Sequence, residues 1–95
     1  MTSDQIEIVR TVVIRNKYGL HARPAAEFVK LAARFRSQIF ASKEDTEVNG
    51  KSIMGVMMLA AGKGSIVVLD ADGKDEQQAI DALSALINGK FGEPE

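Results

Sequence analysis

"GLHARPAAEFVKLAARF", residues 19–35, sets the architecture of this chain. From Ala22 onward, Ala25, Phe28, Val29, Ala32 and Phe35 recur at three- and four-residue steps. That spacing gives one apolar stripe and predicts a helix from Ala22 to about Phe35. Pro24 falls in the first turn, where a missing N–H costs little. Before the helix, "IVRTVVIR" (8–15) is β-branched and reads as a strand, and "NKYG" (16–19) as a loop. After it come a strand "SQIFAS" (37–42), a polar link "KEDTE", and a short strand "EVNGK" (47–51) with a turn signal at Asn49-Gly50. Ser52 is a suitable N-cap for a short helix over 53–60, which Gly62 and Gly64 end. "SIVVLDA" (65–71) reads as a central strand because four consecutive residues are apolar. "ADG" is a turn, and Ala79, Ile80, Leu83, Leu86 and Ile87 make a helical stripe within 75–88. Gly89 stops that helix, and "KFGEPE" reads as a tail.

The order is therefore β-α-β-β-α-β-α, an α+β domain. Four short strands make one mostly antiparallel sheet, with the helical stripes on one face and the other face open, Phe40 and several valines among its residues. Ninety-five residues suffice for one domain, with its core at about 6–90. The 12 basic and 13 acidic residues leave a net charge of -1, which argues against a nucleic-acid partner. With no cysteine, disulfides, thiol chemistry and cysteine zinc sites are excluded, and a single histidine argues against a histidine-rich metal site. The opening "MTSDQIEIVR" lacks the apolar core of a secretory signal, and no apolar run is long enough for a bilayer. The expected location is the cytoplasm, with no membrane partner.

His21 stands where the helix begins. The first amides of a helix lack internal acceptors and carry partial positive charge, so an anion such as phosphate is favoured there. Arg23, two residues on, can offer a planar fork to phosphate oxygens. Gly19 permits a tight turn or a close approach. The same positive field disfavours a protonated imidazole, so the ring is expected to keep a lone pair for attack on phosphorus. The helix end would stabilise the product by about 0.3–2 kcal/mol, which suits a group that must leave again. No acid or serine beside His21 completes a nucleophilic triad. From residue types alone, an anion site and a plain surface cap both remain open.

Two motifs decide between them. "GLHARPAAEFVK" (19–30) resembles the active-site signature of the HPr and NPr family, the histidine-containing phosphocarriers of the bacterial phosphotransferase system. "VNGKSIMGVMMLAAGKGS" (48–65) resembles the second signature, and Ser52 follows His21 by the family's interval. The resemblance implies an open-faced β-sandwich: four antiparallel strands with three helices on one side. It implies that His21 accepts phosphate on Nδ1 from phosphorylated enzyme I, charged by phosphoenolpyruvate. His21 would then pass it to a histidine of an enzyme IIA. Arg23 would contact the phosphoryl group, with Gly19 and Pro24 shaping the backbone. No metal and no organic cofactor is implied.

The family docks through the short helix. Ile53, Met54 and Met57 are therefore expected on its outer side, with Val56 and Leu59 inward. Ala22 flanks the histidine, and Lys30 and Lys51 are candidate rim charges. Ser52 matches the serine that an HPr kinase/phosphorylase modifies in many relatives. Tyr18 departs from the small polar residue common in sugar-transport members, and "NKYG" is closer to the nitrogen-type branch. Met58 replaces a small residue seen in some kinase-regulated members. A monomer is expected. The alternative function is a non-catalytic regulatory module that binds through the 52–58 surface.

Overall fold

A computed structural model describes residues 7–95. The start expected for the core, residue 6, and the opening segment examined for a signal peptide lie largely or wholly outside the described residues. Four strands, three helices and a final turn follow in the order β1 (Glu7–Val13), α1 (Ala22–Ala32), β2 (Gln38–Lys43), β3 (Thr46–Asn49), α2 (Ile53–Met58), β4 (Ile66–Asp72) and α3 (Glu76–Asn88), with a 3-10 turn at Lys90–Gly92. This is the expected β-α-β-β-α-β-α order. The sheet order is β1-β4-β2-β3, and every pairing is antiparallel.

The strands alternate because one face is covered and the other is bare. Val12, Ile39, Ala41, Val67, Leu69 and Ala71 point inward and are buried. Between them and the helices lie Ala25, Phe28 and Ala32 of α1, Val56 of α2, and Ala79, Ile80, Leu83 and Ile87 of α3. β4 lies between β1 and β2, the central place its apolar run implies. Its outward residues are nevertheless not buried: Ile66 is 60% exposed. The reason is that nothing among the described residues covers that face. Val9 and Val13 share it, with Phe40 half-buried.

Several boundaries differ from the sequence expectation: β1 stops at Val13 rather than residue 15, β3 at Asn49 rather than residue 51 and α2 at Met58 rather than residue 60, and two further differences shape the packing. α1 ends at Ala32, not Phe35. The amides of Arg34 and Phe35 bond back three residues, to Leu31 and Ala32, so the end tightens into a turn. The carboxylate of Asp75 then collects Arg36 N–H, Ser37 N–H and the Ser37 hydroxyl, which sets the entry into β2. The hydroxyl and the amides together pull the Asp75 carboxyl down to about 2. The second difference is the stretch read as a tail. It curls into the 3-10 turn and buries Phe91 in the core. The packed core thus runs past residue 90.

Candidate functional site

The site is built where the loop after β1 meets the start of α1. Gly19 has φ +67, and a Cβ there would come 2.3 Å from the Ala61 carbonyl oxygen. Only glycine takes that conformation with backbone so close. The contact is productive, because the next amide, of Leu20, donates to the same carbonyl at 2.9 Å. Asn16, fully buried, donates from Nδ2 to the Gly19 carbonyl at 2.8 Å. These bonds fix the chain direction just ahead of the histidine.

His21 is the N-cap of α1, in extended backbone conformation, and its side chain makes no capping bond. Its carbonyl accepts from the Ala25 amide at 2.9 Å, so the helix begins without help from the imidazole. The ring is exposed. The amides of Ala22 and Arg23 open the helix beside it, and Pro24, next in line, has no N–H to lose. Tyr18, 70% exposed, meets the ring edge-on with centroids 6.3 Å apart. The Lys17 ammonium lies 5.2 Å from the Tyr18 ring centre.

The final turn supplies a group that the sequence reading passed over. Glu93 Oε2 sits 3.0 Å from His21 Nε2 and 3.0 Å from Arg23 Nη2. Arg23 Nε also donates to it at 3.2 Å, and Arg23 Nη2 donates to the Phe91 carbonyl at 2.9 Å. Glu93 Oε1 accepts from Asn16 Nδ2 at 2.9 Å. Hydrogen bonds from Asn16 first, then from Arg23 and His21, hold the Glu93 carboxyl below its usual range. Its side chain is only 15% exposed. The Lys17 amide donates to the Glu95 carbonyl, and Lys17 Nζ lies 3.3 Å from the Glu95 carboxylate. A cleft of about 510 Å³ opens among Lys17, Tyr18, His21, Arg23 and Gly92–Glu95. The signal that this segment matters was faint: one large aromatic, Phe91, in an otherwise polar stretch. The sequence pointed only to helix amides and Arg23 around the imidazole, whereas a carboxylate faces the same ring.

The second cluster is α2. Ser52 caps it, accepting the Gly55 amide at 3.0 Å. Ile53, Met54, Met57 and Met58 are exposed, Met54 at 72%, while Val56 and Leu59 are buried. α2 packs against α1 and β3. Ala22 and Lys30 are exposed on α1. Lys51 is not a free rim charge. Its Nζ donates to the Phe35 carbonyl at 2.7 Å and helps hold the turn after α1. Among the described residues no group of acidic or histidine side chains could hold a metal ion, and no helix is long and apolar enough to cross a membrane.

The comparisons with known proteins agree with this geometry. The family described as the PTS HPr component phosphorylation site matches residues 8–89. The chain belongs to the HPr family. The phosphocarrier protein HPr of Cupriavidus necator is 57% identical over 86 residues, covering 90% of this chain and 97% of the relative. A crystal structure of HPr from Thermoanaerobacter tengcongensis superposes with a TM-score of 0.89 at 52% identity, covering 93% of this chain and 99% of the other. A second structure from that organism, at 55% identity and TM-score 0.74, covers 86% of this chain and 94% of the other, and is an HPr dimer. The HPr fold is thus the one seen here, an open four-stranded antiparallel sheet with three helices. Membership makes the chain a phosphocarrier of the phosphotransferase system, and not a catalyst. Glu93 lies beyond residue 89, where the HPr match ends.

Proposed function

We propose that His21 takes a phosphoryl group from phosphorylated enzyme I and hands it to a histidine of an enzyme IIA, in the cytoplasm. One observation carries this reading. An exposed imidazole stands at a helix N-cap, with the Arg23 guanidinium anchored beside it on a shared carboxylate. The cation is in place before any phosphate arrives, so little reorganisation accompanies transfer. Both hand-offs exchange one phosphorus–nitrogen bond for another, and a small free-energy drop in each step keeps the carrier reversible. The helix amides and Arg23 stabilise the bound dianion without trapping it.

Docking uses the outer side of α2 and the start of α1: Ile53, Met54, Met57 and Ala22, with Lys30 at the rim. Flexible thioethers fit partners of different shape. Ser52 is the site for a regulatory HPr kinase/phosphorylase. A phosphate there would add negative charge to the docking face and oppose an incoming phosphorylated enzyme I. The working unit in this reading is a single chain, within which Arg23, Asn16 and Glu93 already surround His21. Elution of the active carrier as a dimer would remove that part.

The test is incubation with enzyme I and phosphoenolpyruvate. The expected product carries one acid-labile, alkali-stable phosphate that is absent from His21→Ala. A chain that binds enzyme I through α2 but never gains phosphate would be a regulatory module instead. Supplying sugar-type and nitrogen-type enzyme IIA proteins in turn reads out the branch. HPr kinase with ATP should leave an acid-stable phosphate that Ser52→Ala lacks.

A further inference from the structure

We infer that Glu93 is a positioning residue for phosphoryl transfer: its carboxylate holds the Nε2–H of His21 and so leaves Nδ1 as the attacking nitrogen. The inference deepens the carrier function and rests on it.

What a carboxylate can do depends on its protonation. Ionised, it accepts hydrogen bonds and donates none. Glu93 is ionised at neutral pH, because Asn16, Arg23 and His21 all favour its charged form. At 3.0 Å from Oε2, Nε2 must therefore carry the ring proton. In a neutral imidazole the remaining lone pair is then on Nδ1. The carboxylate is itself held from two sides. Asn16, buried beneath the loop, grips Oε1 at 2.9 Å, and Arg23 grips Oε2. Phe91, buried two residues earlier, anchors the turn that delivers it. A ring fixed at one edge by a fixed acceptor has one orientation, which an exposed histidine otherwise lacks.

The same contact matches the charge that develops. The Nδ1 lone pair forms the new bond to phosphorus. The donor's P–N bond breaks, and its electron pair stays on the donor nitrogen. Nε2 keeps its proton throughout, so the His21 ring becomes cationic as the bond forms. Glu93 faces that cation on the edge away from the phosphoryl group. This is the logic by which a buried acid supports a catalytic imidazole. Tyr18, edge-on, carries no charge, and the nearby Lys17 and Arg23 would oppose a ring cation. Glu95 pairs with Lys17, and Glu93 is the carboxylate set against Arg23 and the ring itself.

The test uses the full chain, with Glu93→Ala and Glu93→Gln. Long-range ¹⁵N–¹H spectra of the ring should show the Nε2–H form in the parent and a loss of that preference in Glu93→Ala. Glu93→Gln can still accept the hydrogen bond from Nε2–H but has no charge. It should keep the preference and lose rate. Phosphoramidate, a small donor with a P–N bond, then reports chemistry without any protein partner. By ³¹P NMR the parent should gain phosphate on Nδ1, and Glu93→Ala should react about tenfold more slowly, with phosphate on both nitrogens. Backbone amide spectra confirm that the variants keep the fold. An Nδ1–H parent ring, or a Glu93→Ala that changes neither the ring form nor the site of phosphate, overturns the inference. Failure of parent His21 to accept phosphate from enzyme I is a separate result, and it would remove the carrier function itself.

Discussion

Gly19 shows how much a single atom can decide. A methyl group there would meet the Ala61 carbonyl at 2.3 Å in a conformation with φ +67. Gly19→Ala is therefore expected to destabilise the fold by about 2–3 kcal/mol, read as a lower urea midpoint at unchanged m-value. Arg23 works by shape as much as by charge. Its Nε and Nη2 bind Glu93 and Phe91 together, a fork that an ammonium cannot reproduce. Arg23→Lys should keep the fold and slow phosphate gain from enzyme I about tenfold, in a quench-flow assay with ³²P. His21 and Arg23 were legible because a lone histidine, an arginine and a proline at a helix start each have a physical reason to be there. Glu93 was not. It lies 72 residues from His21 in sequence, and no local periodicity reports a contact over that span.

Among the elements, the helices were easy to find and their ends were not. The stripes of α1 and α3 follow from 3.6-residue spacing. The last turn of α1 instead depends on tertiary contacts: Lys51 on the Phe35 carbonyl, and Asp75 on the amides of Arg36 and Ser37. The closing turn was missed because four polar or glycine neighbours mask Phe91. Phe91→Ala should cost about 3 kcal/mol through the cavity it leaves. It should also scatter Glu93, so that the tautomer preference of His21 weakens in the same variant. For α2, one bond is decisive. It has six residues and one side-chain cap, Ser52 to the Gly55 amide. Ser52→Ala should lower stability by about 1 kcal/mol, whereas Ser52→Asp keeps an acceptor and should restore most of it. Thermal melts of the two variants separate capping from the effect of added charge on enzyme I docking.

Over the whole molecule, the two faces of the sheet impose different electrostatics. On the bare face Asp70 is the cross-strand partner of Val9 and Phe40. Burial, then a hydrogen bond and repulsion from Glu7, with Glu47 and Asp72 adding to it, push its carboxyl up to about 6. The unfolded chain releases that proton near 3.8, so between roughly 4 and 6 the folded state binds more protons. Stability is full below this window and falls as pH rises through it. Because the group is only half-buried, solvent screening limits the effect to about 1 kcal/mol. Asp70→Asn is expected to raise the Tm by about 4–8 °C at pH 8 and to leave it unchanged at pH 4. Asp75 behaves oppositely: its contribution is complete above about 4 and disappears as pH falls through about 2.

The two-sided build also separates handling from work. Thr11 faces outward on β1, with the sheet between it and the helices, and the sequence has no native thiol. A Thr11→Cys variant could be anchored to a sensor chip or carry a dye from its back. The relay's successive clients would still meet an unobstructed front, and each must let go before the next can land.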